Sequence, residues 1–151
     1  MAYVSGAKAS RECIFCRALD AGDDRKHLVL HRARQAFLIL NAYPYVPGHV
    51  MAAPTRHVGA VAQATPEELA EVMRLVGAAT QALESEYQAQ GFNIGINQGR
   101  IAGAGVEDHF HLHVVPRWAG DTNFMPVLGE VRVLPEALDT TWERLRSRLG
   151  G

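Results

Sequence analysis

"HFHLHVV", residues 109–115, decides how this chain is read. Three of its seven histidines fall within five residues, with one residue between each. On a helix they would scatter around the axis. On a β-strand, where side chains alternate, His109, His111 and His113 share one face and Phe110, Leu112 and Val114 the other. Such a strand lays its apolar face on a core and keeps its imidazoles for chemistry. Pro116 is expected to end it.

Immediately upstream, "GRIAGAGVED" (99–108) is a glycine-rich loop, and "FNIGINQ" (92–98) alternates as another strand. Further back, Thr65 caps a helix, Pro66 takes its first position, and Glu68 closes a capping box. Leu69, Val72, Met73, Val76, Leu83 and Tyr87 recur at helical spacing, with Gly91 the expected stop. "HLVLHRARQAFLILNAYP" (27–44) reads as two short strands about a turn at RARQ. "NAYPYVPGHVMAAPTRH" (41–57) reads as loop, short strand at 48–53, and loop. "RWAGDTNFMPVLG" (117–129) is irregular, and "LPEALDTTWERLRSRL" (134–149) is a terminal helix. Short strands on both sides of one long helix imply an α+β fold with a mainly antiparallel sheet.

A length of 151 residues fits one domain, 11–151, behind a mobile segment at 1–10. The net charge of −1 gives no positive field to draw nucleic acid or an acidic membrane, and neither is expected as a partner. With no transmembrane run and no signal-peptide pattern, a cytoplasmic location is expected. Two cysteines, Cys13 and Cys16 in "CIFC", do not make a disulfide framework. Their spacing fits half of a zinc site or a redox pair. No thioredoxin-like β-α-β pattern follows to favour the redox reading.

Imidazoles in a row can bind a metal, exchange protons or attack. A neutral imidazole is a good nucleophile toward phosphorus if one ring nitrogen is free and an acceptor holds the other N–H. A neighbouring histidine can then contact the phosphate or protonate the leaving group. Gly99, Gly103 and Gly105 let backbone N–H groups approach phosphate oxygens, although no P-loop is present.

At this point the pattern His-φ-His-φ-His-φ-φ, here H109-F-H111-L-H113-V-V, resembles the histidine triad (HIT) family of nucleotide-binding hydrolases and transferases. The resemblance runs from about Cys13 to about Phe124 and includes the strand-loop-strand segment ending in Pro-Gly-His. It implies a HIT-like fold, a five-stranded antiparallel sheet with one long helix, paired into a homodimer. It implies His111 as a nucleophile forming a covalent nucleotidyl-histidine, its other N–H held by a carbonyl on a neighbouring strand segment. His113 would lie on the α-phosphate and leaving oxygen, with His49 beside the triad and His109 as its first member. Asn41 would meet the ribose. Asn97, or its neighbour Gln98, would serve the phosphate side, and Gly105 would offer only a backbone N–H. Cys13, Cys16, His57 and His109 would hold one structural zinc; no organic cofactor is expected. Ile14, Phe15, Phe37 and Ile39 would line a base slot or simply fill the core. Arg117 would steer a polyphosphate tail or sit solvated, and Trp118 would stack or pack.

"HVVPRW" followed by "AGDTNF" resembles the branch holding the fragile-histidine-triad hydrolases and the diadenosine tetraphosphate phosphorylases. That implies action on diadenosine polyphosphates, by water or by phosphate as second nucleophile. Three alternatives stay open: a purine nucleoside phosphoramidase, a nucleotide-binding interaction protein with little turnover, and a hydrolase using the three histidines as ligands of catalytic zinc. For the last, three residues along one strand are too collinear for good tetrahedral angles.

Overall fold

The computed structural model describes residues 12–106, 108–121 and 136–149. Expectations about the 1–10 segment, about residues 122–129 of the irregular stretch after the triad, and about residues 134–135 of the terminal helix lie outside these. The five strands are β1 (Val29–Arg32), β2 (Ala36–Leu40), β3 (Val50–Pro54), β4 (Gly91–Ile96) and β5 (Leu112–Arg117). They form one sheet in the order β1-β2-β3-β5-β4, with every neighbouring pair antiparallel. Among the described residues, three α-helices accompany them: α1 (Ile14–Asp20), α2 (Pro66–Tyr87) and α3 (Leu138–Arg148). The α+β class is as expected. None of these helices is long and apolar enough to cross a membrane.

Register assigns the two faces. Val29 pairs with Ile39, Ile39 with Met51 and Met51 with His113, so all four share one face. On that face α1 packs its Phe15, Cys16 and Ala18 against Val29, Phe37, Ile39, Met51 and Ala53. The opposite face carries Leu38, Leu40, Val50, Ala52 and Val114, covered by α2 through Val72, Leu75, Val76, Ala79 and Leu83. The histidines therefore share their face with α1, and the long helix lies behind the sheet.

The capping box stands as read: the Glu68 N–H donates to Thr65 Oγ1 at 3.1 Å, and the Thr65 N–H to Glu68 Oε1 at 2.9 Å. Several boundaries differ. The long helix stops at Tyr87 because Gln88 turns left-handed (φ 53°), and Gly91 opens β4 instead. Met73 is on the helix's outer side, exposed, and Leu75 with Ala79 and Ala82 carries the buried stripe. The third strand begins at Val50, two residues later than read, because Gly48 and His49 still belong to the turn. Pro116 lies inside β5, where β3 pairs only as far as Val114, so its missing N–H breaks no bond to β3. The terminal helix starts at Leu138, since Ala137 is extended and Glu136 turns its carboxylate to Thr141 and Arg144. The sequence reading had no helix after Cys13; α1 is new.

Candidate active site

The ladder between β3 and β5 begins at Leu112, so His109 and His111 precede the strand proper. Phe110 donates instead to the Val58 carbonyl at 2.9 Å. The three rings keep to the α1 face nonetheless: His109 and His111 both touch the Phe15 ring, and His113 touches His111. Leaving the ladder frees the His109 carbonyl, which accepts from His111 Nδ1 at 3.0 Å. The acceptor comes from the histidine's own segment, two residues back, and not from a neighbouring strand as expected. With the proton held at Nδ1, the lone pair is on Nε2, which has no partner among the described residues. That is the tautomer a nucleophile needs. Burial lowers the His111 pKa, against the raising effect of the His109 carbonyl, and favours the neutral ring.

His49 arrives from the turn after Pro47. It accepts from the Tyr45 N–H through Nδ1 at 3.2 Å, which leaves its proton on Nε2. That proton points at His113 Nδ1, 2.8 Å away, so His113 carries its own proton on Nε2. Burial, with the neighbouring His113 and His111, pushes the His49 pKa down to about 4. The His113 pKa is lowered by burial first and His111 second. The relay delivers a neutral N–H donor beside the neutral nucleophile, an arrangement suited to an anionic leaving oxygen.

His109 is spent differently. Its Nε2–H donates to the Pro54 carbonyl at 2.7 Å, and its Nδ1 lies 3.4 Å from Cys13 Sγ and 3.6 Å from Cys16 Sγ. His57 Nδ1 lies 3.4 Å from Cys16 Sγ. The four donor atoms all fall within 4.8 Å of one another, the one such His/Cys/Asp/Glu group among the described residues. A tetrahedral zinc with usual bond lengths sets sulfur and nitrogen roughly 3.5 Å apart, so the donors fit that ion. The Pro54 carbonyl is the kind of outer partner that fixes a ligand histidine's tautomer. The three triad histidines, by contrast, do not form a metal group with one another.

A cleft of about 490 Å³ opens between α1 and β2, lined by Ile14, Phe15, Ile39, Asn41, Tyr43 and Met51 among others. Of the four apolar residues named from sequence, Phe37 does not line it and is core. Asn41 Oδ1 accepts from the Tyr43 N–H at 2.8 Å, and its Nδ2 lies 3.5 Å from His49 Nε2; it is both turn former and cleft wall. Asn97 lines a shallower groove beside His113. Gln98 is turned away, accepting from the Val61 N–H at 2.9 Å. Gly105 is exposed and faces open space. Arg117 is held by Asp121 at 2.5 Å and donates to Asn93 at 2.6 Å, tying down the strand end. Trp118 packs, its indole N–H donating to the Tyr87 carbonyl at 2.9 Å. His27 lines the cleft without belonging to any motif read from the sequence, and Tyr45, an aromatic between two prolines just ahead of Pro-Gly-His, is likewise outside those motifs yet gives its N–H to His49.

The family model of the HIT domain matches residues 23–120. The chain belongs to the HIT family. Within that family it is 40% identical over 118 residues to an AP-4-A phosphorylase of Mycobacterium tuberculosis, covering 78% of this chain and 60% of the relative. It is 36% identical over 93 residues to the asymmetrical bis(5'-nucleosyl)-tetraphosphatase of Schizosaccharomyces pombe, covering 62% and 50%. The HIT chain thus spans about half to three fifths of the length of these curated relatives. Among solved structures it resembles a Zn-bound histidine triad family protein from Mycobacterium smegmatis, with TM-score 0.75, 25% identity, and 93% and 95% coverage.

Proposed function

We propose that this HIT protein is a nucleotidyl hydrolase or transferase acting on diadenosine polyphosphates. The observation that carries it is the His111 ring, its Nδ1–H held by the His109 carbonyl at 3.0 Å and its Nε2 left for attack. The names of the two curated relatives supply the substrate class. Nε2 donates its lone pair to the α-phosphorus, an N–P bond forms, and the P–O bond to the rest of the polyphosphate breaks. His113 Nε2–H faces the departing oxygen, with His49 holding His113's other nitrogen at 2.8 Å. Water or inorganic phosphate then attacks the nucleotidyl-histidine, its oxygen bonds to phosphorus, and the N–P bond returns its electron pair to His111. The base of the transferred nucleotide takes the apolar cleft, with Asn41 at the ribose. Of the two phosphate-side candidates, Asn97 is favoured over Gln98: it lines the groove beside His113, whereas Gln98 is engaged with Val61. Gly105 contributes no more than its backbone.

Two lesser proposals travel with this one. Cys13, Cys16, His57 and His109 hold a structural zinc that ties α1 to the triad segment; elemental analysis of the purified protein tests it. The chain forms a homodimer, tested by sedimentation or light scattering. The deciding experiment is intact-protein mass spectrometry after brief mixing with diadenosine tetraphosphate and trapping in alkali. Wild type is expected to gain one adenylyl group and His111→Asn none. Products with and without added phosphate separate phosphorolysis from hydrolysis. Turnover by the variant, with no adduct on wild type, overturns the nucleophile.

A further inference from the structure

The loop 41–47 places two tyrosines on opposite sides of the histidines. Tyr43, 87% exposed, lines the apolar cleft by α1. Tyr45, 68% exposed, lies on the other side, over His49 at 4.4 Å between ring centroids and nearly parallel to His113 at 6.1 Å and 19°. Beyond it runs a groove in two contiguous parts, about 290 Å³ and 340 Å³, that share Tyr45, Asn93 and Val115. One part continues past His113 to Ile94 and Asn97. The reactive rings thus stand between two recesses, each walled by one exposed tyrosine of the same loop.

A dinucleoside polyphosphate has that shape: two bases joined by a linear phosphate chain, with the scissile bond nearer one of them. We infer that the Tyr45 groove holds the second nucleoside, the one that leaves, with the free face of the Tyr45 ring as the platform for its base. This rests on the diadenosine polyphosphate reading above. The platform is pre-organised. Pro44 and Pro47 restrict the loop, and the Tyr45 N–H is fixed to His49, so little freedom is lost when a base stacks. Asn93 and Asn97 supply polar groups at the groove wall, while Val115 gives it an apolar side. Stacking discriminates poorly between bases, so this side tolerates exchange of the leaving base.

The test compares diadenosine tetraphosphate with adenosine 5′-tetraphosphate, which offers the same α-phosphorus and chain without the second nucleoside. The expected result is that Tyr45→Ala lowers the ratio of the two kcat/KM values about tenfold, through KM, and that Tyr45→Phe restores it. An unchanged ratio overturns the inference, whether both substrates fall together, because Tyr45 then acts by positioning His49 and His113, or neither falls. Equilibrium binding to His111→Asn protein separates this from failure of the enzymatic reading. If wild type turns over neither substrate, the enzymatic reading fails. The groove then stands only if Tyr45→Ala weakens binding of the dinucleotide selectively, and falls if it does not.

Discussion

His109 and His111 are the same residue type, two positions apart and on the same face, both touching Phe15. Their fates differ. His109 is wholly buried with both ring nitrogens occupied, one by the Pro54 carbonyl and one by the cysteine sulfurs. His111 has one nitrogen tied down and one open. On the function proposed above, what separates scaffold from reagent is the second nitrogen's neighbour, not residue type, burial or strand position. The two are also linked in series: the ring of His109 belongs to the metal group, and its carbonyl sets the tautomer of His111.

The largest expected effect is at the reagent. His111→Asn should lower turnover of diadenosine tetraphosphate by roughly 10⁴-fold or more, as removal of a nucleophile does, while thermal unfolding stays within a few degrees of wild type. A large fall in Tm would show that His111 is scaffold too, and would break the comparison. The next effect is at the scaffold. Stripping metal with a strong chelator should cost about 3–5 kcal/mol, near the value for loss of a cross-link in a small domain, read as a fall in Tm. Cys13→Ser should begin with the lower Tm and be insensitive to chelator. Equal Tm with and without chelator in wild type would remove the metal from this account.

Most of this was legible in the sequence because both signals are local. A period of two puts three imidazoles on one face wherever the strand lies, and Thr65 to Glu68 caps a helix in any context. The matching spacings also brought Cys13, Cys16, His57 and His109 together correctly. What could not be read was anything decided by a neighbour distant in sequence. The ladder stops short of His111 although β3 runs on to Pro54, because the Phe110 N–H goes to the Val58 carbonyl and the Pro54 carbonyl to the His109 ring; the carbonyl that holds His111 was therefore assigned to the wrong segment. Arg117 looked free until Asp121 and Asn93 closed on it. Tyr45 carried no motif of its own; only the sheet shows that it lies against His113. The stop at Gln88 was unreadable because the left-handed residue that ends the helix is not a glycine; its N–H closes on the Glu84 carbonyl at 3.1 Å and the Ala89 N–H on that of Leu83 at 3.5 Å.

The buried relay predicts a pH dependence of stability. His49 is neutral when folded, its pKa pushed down to about 4 by burial and by the other histidines, whereas in the unfolded chain it titrates near the ordinary value of about 6.5. Above about 6.5 neither state takes the proton, and the group contributes no slope. As pH falls toward about 4, only the unfolded chain is protonated, so stability falls with it; below that the slope vanishes again. The contribution is on the order of 2–3 kcal/mol. It is isolated by subtracting the urea-unfolding pH profile of His49→Asn from that of wild type. Coincident profiles would mean that His49 is solvated, and with it the relay to His113.

The smallest effect concerns the turn that delivers His49. Gly48 has φ 89°, and a Cβ there would stand 2.7 Å from Leu83 Cδ2 on α2. Gly22 has φ 73° with open space around it. Alanine at either site meets the backbone cost of a left-handed residue, about 1–2 kcal/mol, so Gly22→Ala measures the strain alone. Gly48→Ala adds the collision, which Leu83 relieves only by shifting within a packed stripe, at about 1 kcal/mol more. The difference between the two, read from urea midpoints, is therefore the packing cost of the turn against the long helix. A positive difference accompanied by reduced turnover would show that α2, on the far side of the sheet, sets the position of His49. If the two substitutions cost the same, Leu83 yields freely, and the turn is held from the site face alone by the Tyr45 N–H and His113.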